Sequence, residues 1–220
     1  MTLFRLDASM RSEGSVSRRV ADVVEAGWRS GVPGADVVRR DVGQEPAPAH
    51  LWPVSVGAAF TPADARTAEQ RDALATVSAL VDELVGADAY LFAVPLYNFG
   101  VPHTFKAWVD LLITDPRLAP GAPKLLAGRP AVLVAVRGGG YGPGTPREGW
   151  DHGTPWVRRL LADVLGLDLQ VVEAELTLAD VNPAMAELRP LAAASLAGAL
   201  DRAEQLGRDL VERAGSTAAA

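Results

Sequence analysis

Five short apolar segments alternate with helical patterns along the chain, and this alternation limits the fold more than any other feature. Strand patterns occupy residues 3–6, 35–41, 88–94, 130–136 and 167–175, and each is followed by a stretch with helix signals. Strand then helix, repeated, is the pattern of a parallel sheet whose crossover helices cover its faces. Residues 90–94 and 131–136 are apolar throughout, as expected of strands buried on both sides. The expected class is therefore α/β, a doubly wound five-stranded parallel sheet with helices on both faces.

Local signals place the helices. Residues 15–28 follow a polar turn, and Thr67 with Gln70 has the spacing of a capping box ahead of Leu74, Val77, Leu80, Val81, Leu84 and Val85, which share one helical face. Further helices are expected over 102–113 and 154–165, and from Asn182, with Pro183 as first helical residue, to about Arg213. Residues 42–66, rich in Pro, Gly and Ala, read as a long connection that is either functional or partly disordered. Residues 1–213 are expected to form one domain and 214–220 a frayed tail.

Composition removes several functions. The chain has 220 residues, 49% of them hydrophobic, which suits one core. A net charge of -6 without a Lys/Arg cluster argues against nucleic acid and anionic membrane as partners. No apolar run approaches the roughly 20 residues that span a bilayer. The charged, alternating start has no signal-peptide core, so the cytoplasm is the expected compartment. Absence of cysteine excludes disulfides, thiolate metal sites and thiol redox chemistry, so electrons must travel on a bound cofactor. His50, His103 and His152 are too scattered for a metal site, and no GxSxG elbow is present.

Three loops are expected at the carboxyl edge of the sheet, where open α/β sheets bind ligands. The first, 7–17 (DASMRSEGSVS), puts Ser9, Ser12, Ser15 and Ser17 around a helix start. Free amides, the helix dipole and hydroxyls suit a phosphate there, although Ser15 or Ser17 also suits a plain N-cap. The second, PLYNFG at 95–100, offers aromatic faces and an amide side chain, or else a turn in which Asn98 takes a left-handed conformation. The third, 137–149 (RGGGYGPGTPREG), lets the backbone approach a ligand closely but is neither a Walker motif nor a dinucleotide fingerprint. Together they describe a phosphate grip, an aromatic and amide wall and a glycine floor, the shape of flavin mononucleotide.

The order of these motifs resembles the FMN-dependent NAD(P)H azoreductase and quinone reductase family, which has a flavodoxin-like fold. The resemblance rests on DASMRSEGSVSRRV (7–20), VPLYNFGVPHTFKAWVD (94–110) and VRGGGYGPGTPREGWDH (136–152). It implies that Ser9, Ser15 and Ser17, with amides of the turn at Val16 and Ser17, hold the FMN phosphate. It implies that Pro95, Leu96, Tyr97, Asn98 and Phe99 line the isoalloxazine, that Gly138, Gly139 and Tyr141 lie along its pyrimidine edge, and that Arg137 is also among the cofactor-binding residues. Leu96 and Val16 depart from the Met and the Gln or Asn of many relatives, and residues 114–128 differ from the stretch that shapes the substrate side.

The activity this implies is a ping-pong NAD(P)H oxidoreductase with FMN as cofactor and NADH or NADPH as co-substrate. Its acceptor is a quinone, an azo compound or a related conjugated molecule, and a pathway-specific tailoring reductase is a specialised version of the same enzyme. The cofactor carries the hard step, and Tyr141 or His152, after the glycine run, are candidates to hold negative charge on the reduced flavin. The resemblance also implies a homodimer, with helices 102–113 and 154–165 as surfaces and Trp108 and Trp156 near the active site. The alternative is a flavodoxin-like FMN-binding electron carrier or non-catalytic partner. The absence of long acidic runs favours the enzyme.

Overall fold

A computed structural model of the chain describes residues 1–119 and 121–218. Strands β1 (Thr2–Asp7), β2 (Asp36–Asp41), β3 (Ala89–Pro95), β4 (Pro130–Val136) and β5 (Asp168–Ala174) pair in parallel in the order β2-β1-β3-β4-β5. This is the flavodoxin-like order, and its direction reverses between β1 and β3. The crevice beyond the carboxyl ends of those two strands is the ligand position in such sheets.

The two-residue alternation of the central strands sorts their side chains onto two cores. Phe4, Leu6, Tyr90, Phe92 and Leu133 face α3 (Ala68–Val85), α4 (His103–Leu112) and α5 (Thr154–Arg158). Leu3, Leu91, Ala93, Val132 and Val134 face α1 (Val16–Gly31) and α6 (Arg189–Ala218). Phe4 stacks on Trp108 with ring centroids 6.1 Å apart and planes 13° from parallel. On the other face α1 and α6 cross so closely that a Cβ on Gly27 would lie 2.8 Å from the Gly207 Cα. A side chain at either position would force the helices apart.

The helix starts follow their capping chemistry. Ser15 Oγ accepts the Arg18 amide at 3.4 Å, and the Thr67–Gln70 capping box forms with both hydrogen bonds in place, at 3.2 and 3.0 Å. Asn182 caps Pro183–Leu188, a 3-10 turn leading into α6, instead of starting the long helix itself.

Four expectations are corrected. Residues 42–66 hold a further helix, α2 (Leu51–Ala59), and a short 3-10 turn, Ala63–Ala65. Pro53 stands in the first turn of α2, where a missing N–H leaves no helical bond unmade. The helix expected over 154–165 is α-helical only to Arg158 and then widens into π turns over Arg159–Val164. The last helix continues to Ala218, and Ala214, expected in a frayed tail, is buried; residues 219 and 220 lie outside the described residues. Finally, Phe105, Trp108, Val109, Leu111 and Leu112 of α4 are buried in the core, which leaves Ala107 alone of its apolar residues partly exposed.

The atypical segment 114–128, whose Pro120 lies outside the described residues, is stitched to α3. Arg117 bonds Asp115 at 2.8 Å and the Ser78 hydroxyl at 3.0 Å. No described helix is long and apolar enough to cross a membrane.

Candidate functional site

The first loop is held from below. Arg18 forms a fork onto Asp41 at 2.6 and 2.8 Å and donates to the carbonyls of Ser9 and Arg11, both at 2.8 Å. Burial raises the pKa of Asp41, but the Arg18 hydrogen bonds and charge outweigh it and hold the carboxyl below its ordinary value. Gly43 packs against the back of the same turn, where a Cβ would come 2.0 Å from the Ser9 carbonyl oxygen. Thus shaped, the loop buries Ser9, Ser15 and Ser17, with the Ser15 and Ser17 hydroxyls 3.1 Å apart. The amides of Val16 and Ser17 find no acceptor among the described residues, as is usual in a first helical turn. Two hydroxyls and two free amides at a helix start are the donor set an anion needs.

The second loop is a tight hairpin. Tyr97 and Gly100 exchange two backbone hydrogen bonds, at 3.0 and 2.9 Å, and between them Asn98 and Phe99 have φ of 48° and 65°. Two central residues with positive φ define a type I′ turn. Asn tolerates that conformation; Phe does so at a cost, and such outliers cluster where a ligand is held. The turn leaves the Asn98 and Phe99 amides without acceptors among the described residues. Pro95 ends β3, and the Leu96 amide bonds the Val136 carbonyl at 2.8 Å.

The third loop folds back on the segment after β5. The Gly138 and Gly139 carbonyls accept the Leu178 and Leu176 amides at 3.1 and 3.2 Å. Tyr141 is half-buried, its amide bonded to Glu175 at 3.1 Å and its ring beneath the Arg147 guanidinium. Arg137 departs from expectation. Its guanidinium is drawn away from a ligand role into Asp151 at 2.9 Å, Glu173 at 2.7 Å and Glu175 at 3.2 Å, because a buried cation requires carboxylate partners.

These loops meet. The Tyr97 hydroxyl lies 3.3 Å from Ser9 Oγ, and the Phe99 carbonyl accepts the His152 amide at 2.9 Å. Phe99 also stands edge-on to Tyr141 and to Trp150, at centroid distances of 6.5 and 5.4 Å. His152 is exposed beside this aromatic wall. A cleft of about 570 Å³ opens beside the third loop, bordered by Tyr141, Asp151, Thr154 and Arg159. Among the described residues no group of three or more His, Asp or Glu is placed to hold a metal ion.

Sequence reasoning missed Arg18, Gly43, Trp150, Asp151 and Glu175. Trp150 sits two residues before His152 in the motif itself and was open to notice. Gly43 and Glu175 carry no local signal, since each meets its partner across the sheet.

The sequence matches the family described as "Flavodoxin-like fold" over residues 1–197. It is 42% identical over 187 residues to an FMN-dependent NADH:quinone oxidoreductase of Frankia casuarinae, an alignment covering 84% of this chain and 88% of that one. It is 38% identical to a protein of the same name from Streptomyces avermitilis, covering 96% and 98% of the two chains. Among solved structures, the azoreductase AzrA superposes with a TM-score of 0.77 at 20% identity, covering 95% of this chain and all of that one. An FMN-dependent NADH-azoreductase of Bacillus anthracis in complex with FMN gives 0.73 at 16% identity, covering 96% and 99%. At these identities the two superpositions speak for the fold, and the two sequence relatives speak for descent. The chain belongs to the flavodoxin-like family of FMN-dependent NADH:quinone oxidoreductases.

Proposed function

We propose that this protein is an FMN-dependent NAD(P)H oxidoreductase acting on quinones, azo compounds or related conjugated acceptors. The observation that carries this reading is the convergence of three loops at the β1/β3 switch point, with free amide donors at both the helix start and the hairpin. The names of the sequence relatives supply the acceptor class and NADH as donor.

When bound, FMN supplies the two-electron chemistry by which reduced nicotinamide passes its electrons to the acceptor. The chain supplies binding, orientation and charge. Ser9, Ser15 and Ser17, with the Val16 and Ser17 amides, hold the phosphate. Pro95, Leu96, Tyr97, Asn98 and Phe99 line the ring system, with the Asn98 and Phe99 amides as its hydrogen-bond donors. Gly138 and Gly139 present backbone along a further edge, and Tyr141 and His152 stabilise negative charge there. Unchanged reduction rates in a Tyr141→Phe, His152→Ala double variant would remove that last role.

Two copies are proposed to pair through α2, supported by a stripe at four-residue spacing: Trp52, Val56 and Phe60 are 48%, 37% and 86% exposed. The cytoplasm, which supplies reduced nicotinamide, is the proposed compartment. The deciding experiment is a visible spectrum of the protein titrated with FMN, followed by addition of NADH under anaerobic conditions and then of a benzoquinone. Bleaching by NADH and recovery with quinone are expected. Failure to bind FMN at micromolar concentration refutes the proposal.

A further inference from the structure

Arg137 is a buried cation beside the third loop with three carboxylates around it, and each of them leads somewhere different. The residue is 8% exposed. Nη1 hydrogen-bonds Asp151 Oδ2 at 2.9 Å, and the other oxygen of that carboxylate accepts the amides of Gly153 and Thr154, at 3.0 and 2.8 Å, where α5 begins. Nε lies 3.2 Å from Glu175 Oε1, an ion pair without a hydrogen bond, and that same oxygen accepts the Tyr141 amide at 3.1 Å. Nη2 contacts Glu173 on β5 at 2.7 Å. One guanidinium therefore ties the early part of the glycine loop, through Glu175, to its far end, through Asp151, and both to β5.

Between those two ties the loop carries Tyr141 and Trp150, whose rings meet Phe99. Three carboxylates around one cation hold together only while the cation is present, since without it they repel and stay partly desolvated. The fork shape also matters, because only a planar guanidinium reaches several carboxylates in different directions at once.

We propose that Arg137 is a positioning residue, a latch that closes the loop 138–151 at both ends and so sets Tyr141 and the aromatic wall against the flavin. Its effect passes through Asp151 and Glu175, and its role in cofactor binding rests on the reading of the crevice given above.

Amide hydrogen exchange on the protein without added FMN, combined with FMN titration, tests this. Arg137→Met is expected to speed exchange at Tyr141, Gly153 and Thr154 by about tenfold or more, while amides of β1 and β3 keep their protection. FMN affinity is expected to weaken by about tenfold as well. Arg137→Lys restores the charge without the fork, so it is expected to recover thermal stability while leaving the Tyr141 amide unprotected. Glu175→Ala cuts one tie alone and is expected to release Tyr141 but not Gly153 or Thr154; should Arg137→Met fail to fold, this variant decides.

Unchanged exchange at Tyr141 in the foldable variants overturns the latch, as does full loop protection in Arg137→Lys. Faster exchange with wild-type FMN affinity overturns the positioning role. Failure of the wild-type protein to bind FMN refutes the proposed function instead, and the exchange pattern still decides whether the latch exists.

Discussion

The hydroxyl of Tyr97 accepts the main-chain amide of Met10 at 3.2 Å, across 87 residues of sequence. A residue of the turn after β3 thereby holds the shape of the turn after β1. The turn proposed to grip the phosphate and the hairpin proposed to line the ring system are mechanically one object, and damage to either is expected to reach the other.

Tyr97→Phe tests that coupling with minimal loss of volume. The Met10 amide loses its acceptor at an exposed site, so FMN affinity is expected to fall by about 3- to 10-fold, or ~0.5–1.5 kcal/mol. Flavin-fluorescence quenching measures the change, and an unaltered Kd would show that the two turns hold their shapes independently.

Gly43→Ala attacks the first loop from behind. Its Cβ would lie 2.0 Å from the Ser9 carbonyl oxygen, which is backbone and has no flexible end to yield. Displacement of the loop is expected to cost about 1–3 kcal/mol of stability and to weaken FMN binding. A thermal melt and a titration matching the parent protein would contradict the close approach.

Phe99→Gly separates strain from function. Glycine accepts φ of 65° without penalty, so relief of backbone strain offsets the added chain entropy, and stability is expected to stay within about 1 kcal/mol of the parent. Loss of the ring from its edge contacts with Tyr141 and Trp150 is expected to lower kcat/KM for a benzoquinone by about 3- to 10-fold. Full activity would mean that the ring does not border the acceptor.

Acid stability should report the Arg18–Asp41 pair. Although burial alone would raise its pKa, Asp41 is lowered in the folded protein by Arg18 and by the amides of Gln44 and Gly43. A lowered carboxylate stabilises the fold above its unfolded pKa of about 4 and loses that contribution as pH falls through the folded value. Denaturation midpoints should therefore be level near neutrality and drop below about pH 4. Asp41→Asn is expected to lower the neutral plateau and flatten the acid limb, and an unchanged limb would exclude Asp41 as a contributor.

Much of the architecture can be read along the chain because its causes are local. The apolar run at residues 90–94 requires a strand covered on both faces, and Thr67 with Gln70 starts a helix three residues apart whatever packs on it. The turn within PLYNFG, with Asn98 in a left-handed conformation, is legible for the same reason. α2 escapes notice because Pro53 and Gly57 lower its helical signal, while packing against α3 and α4 supplies what propensity withholds. The widened turns of residues 159–164 likewise follow no period in the sequence.

The partners of Arg137, Tyr97 and Gly43 belong to a different kind of information. Asp151, Glu175, Met10 and the Ser9 carbonyl reach these residues only because parallel strands fix which turns stand side by side at the sheet edge. Periodicity and capping act over a few residues and so write strands and helices into the chain. Charge pairing and close backbone approach act through space, and they take effect only after strand register has brought distant segments within hydrogen-bond distance.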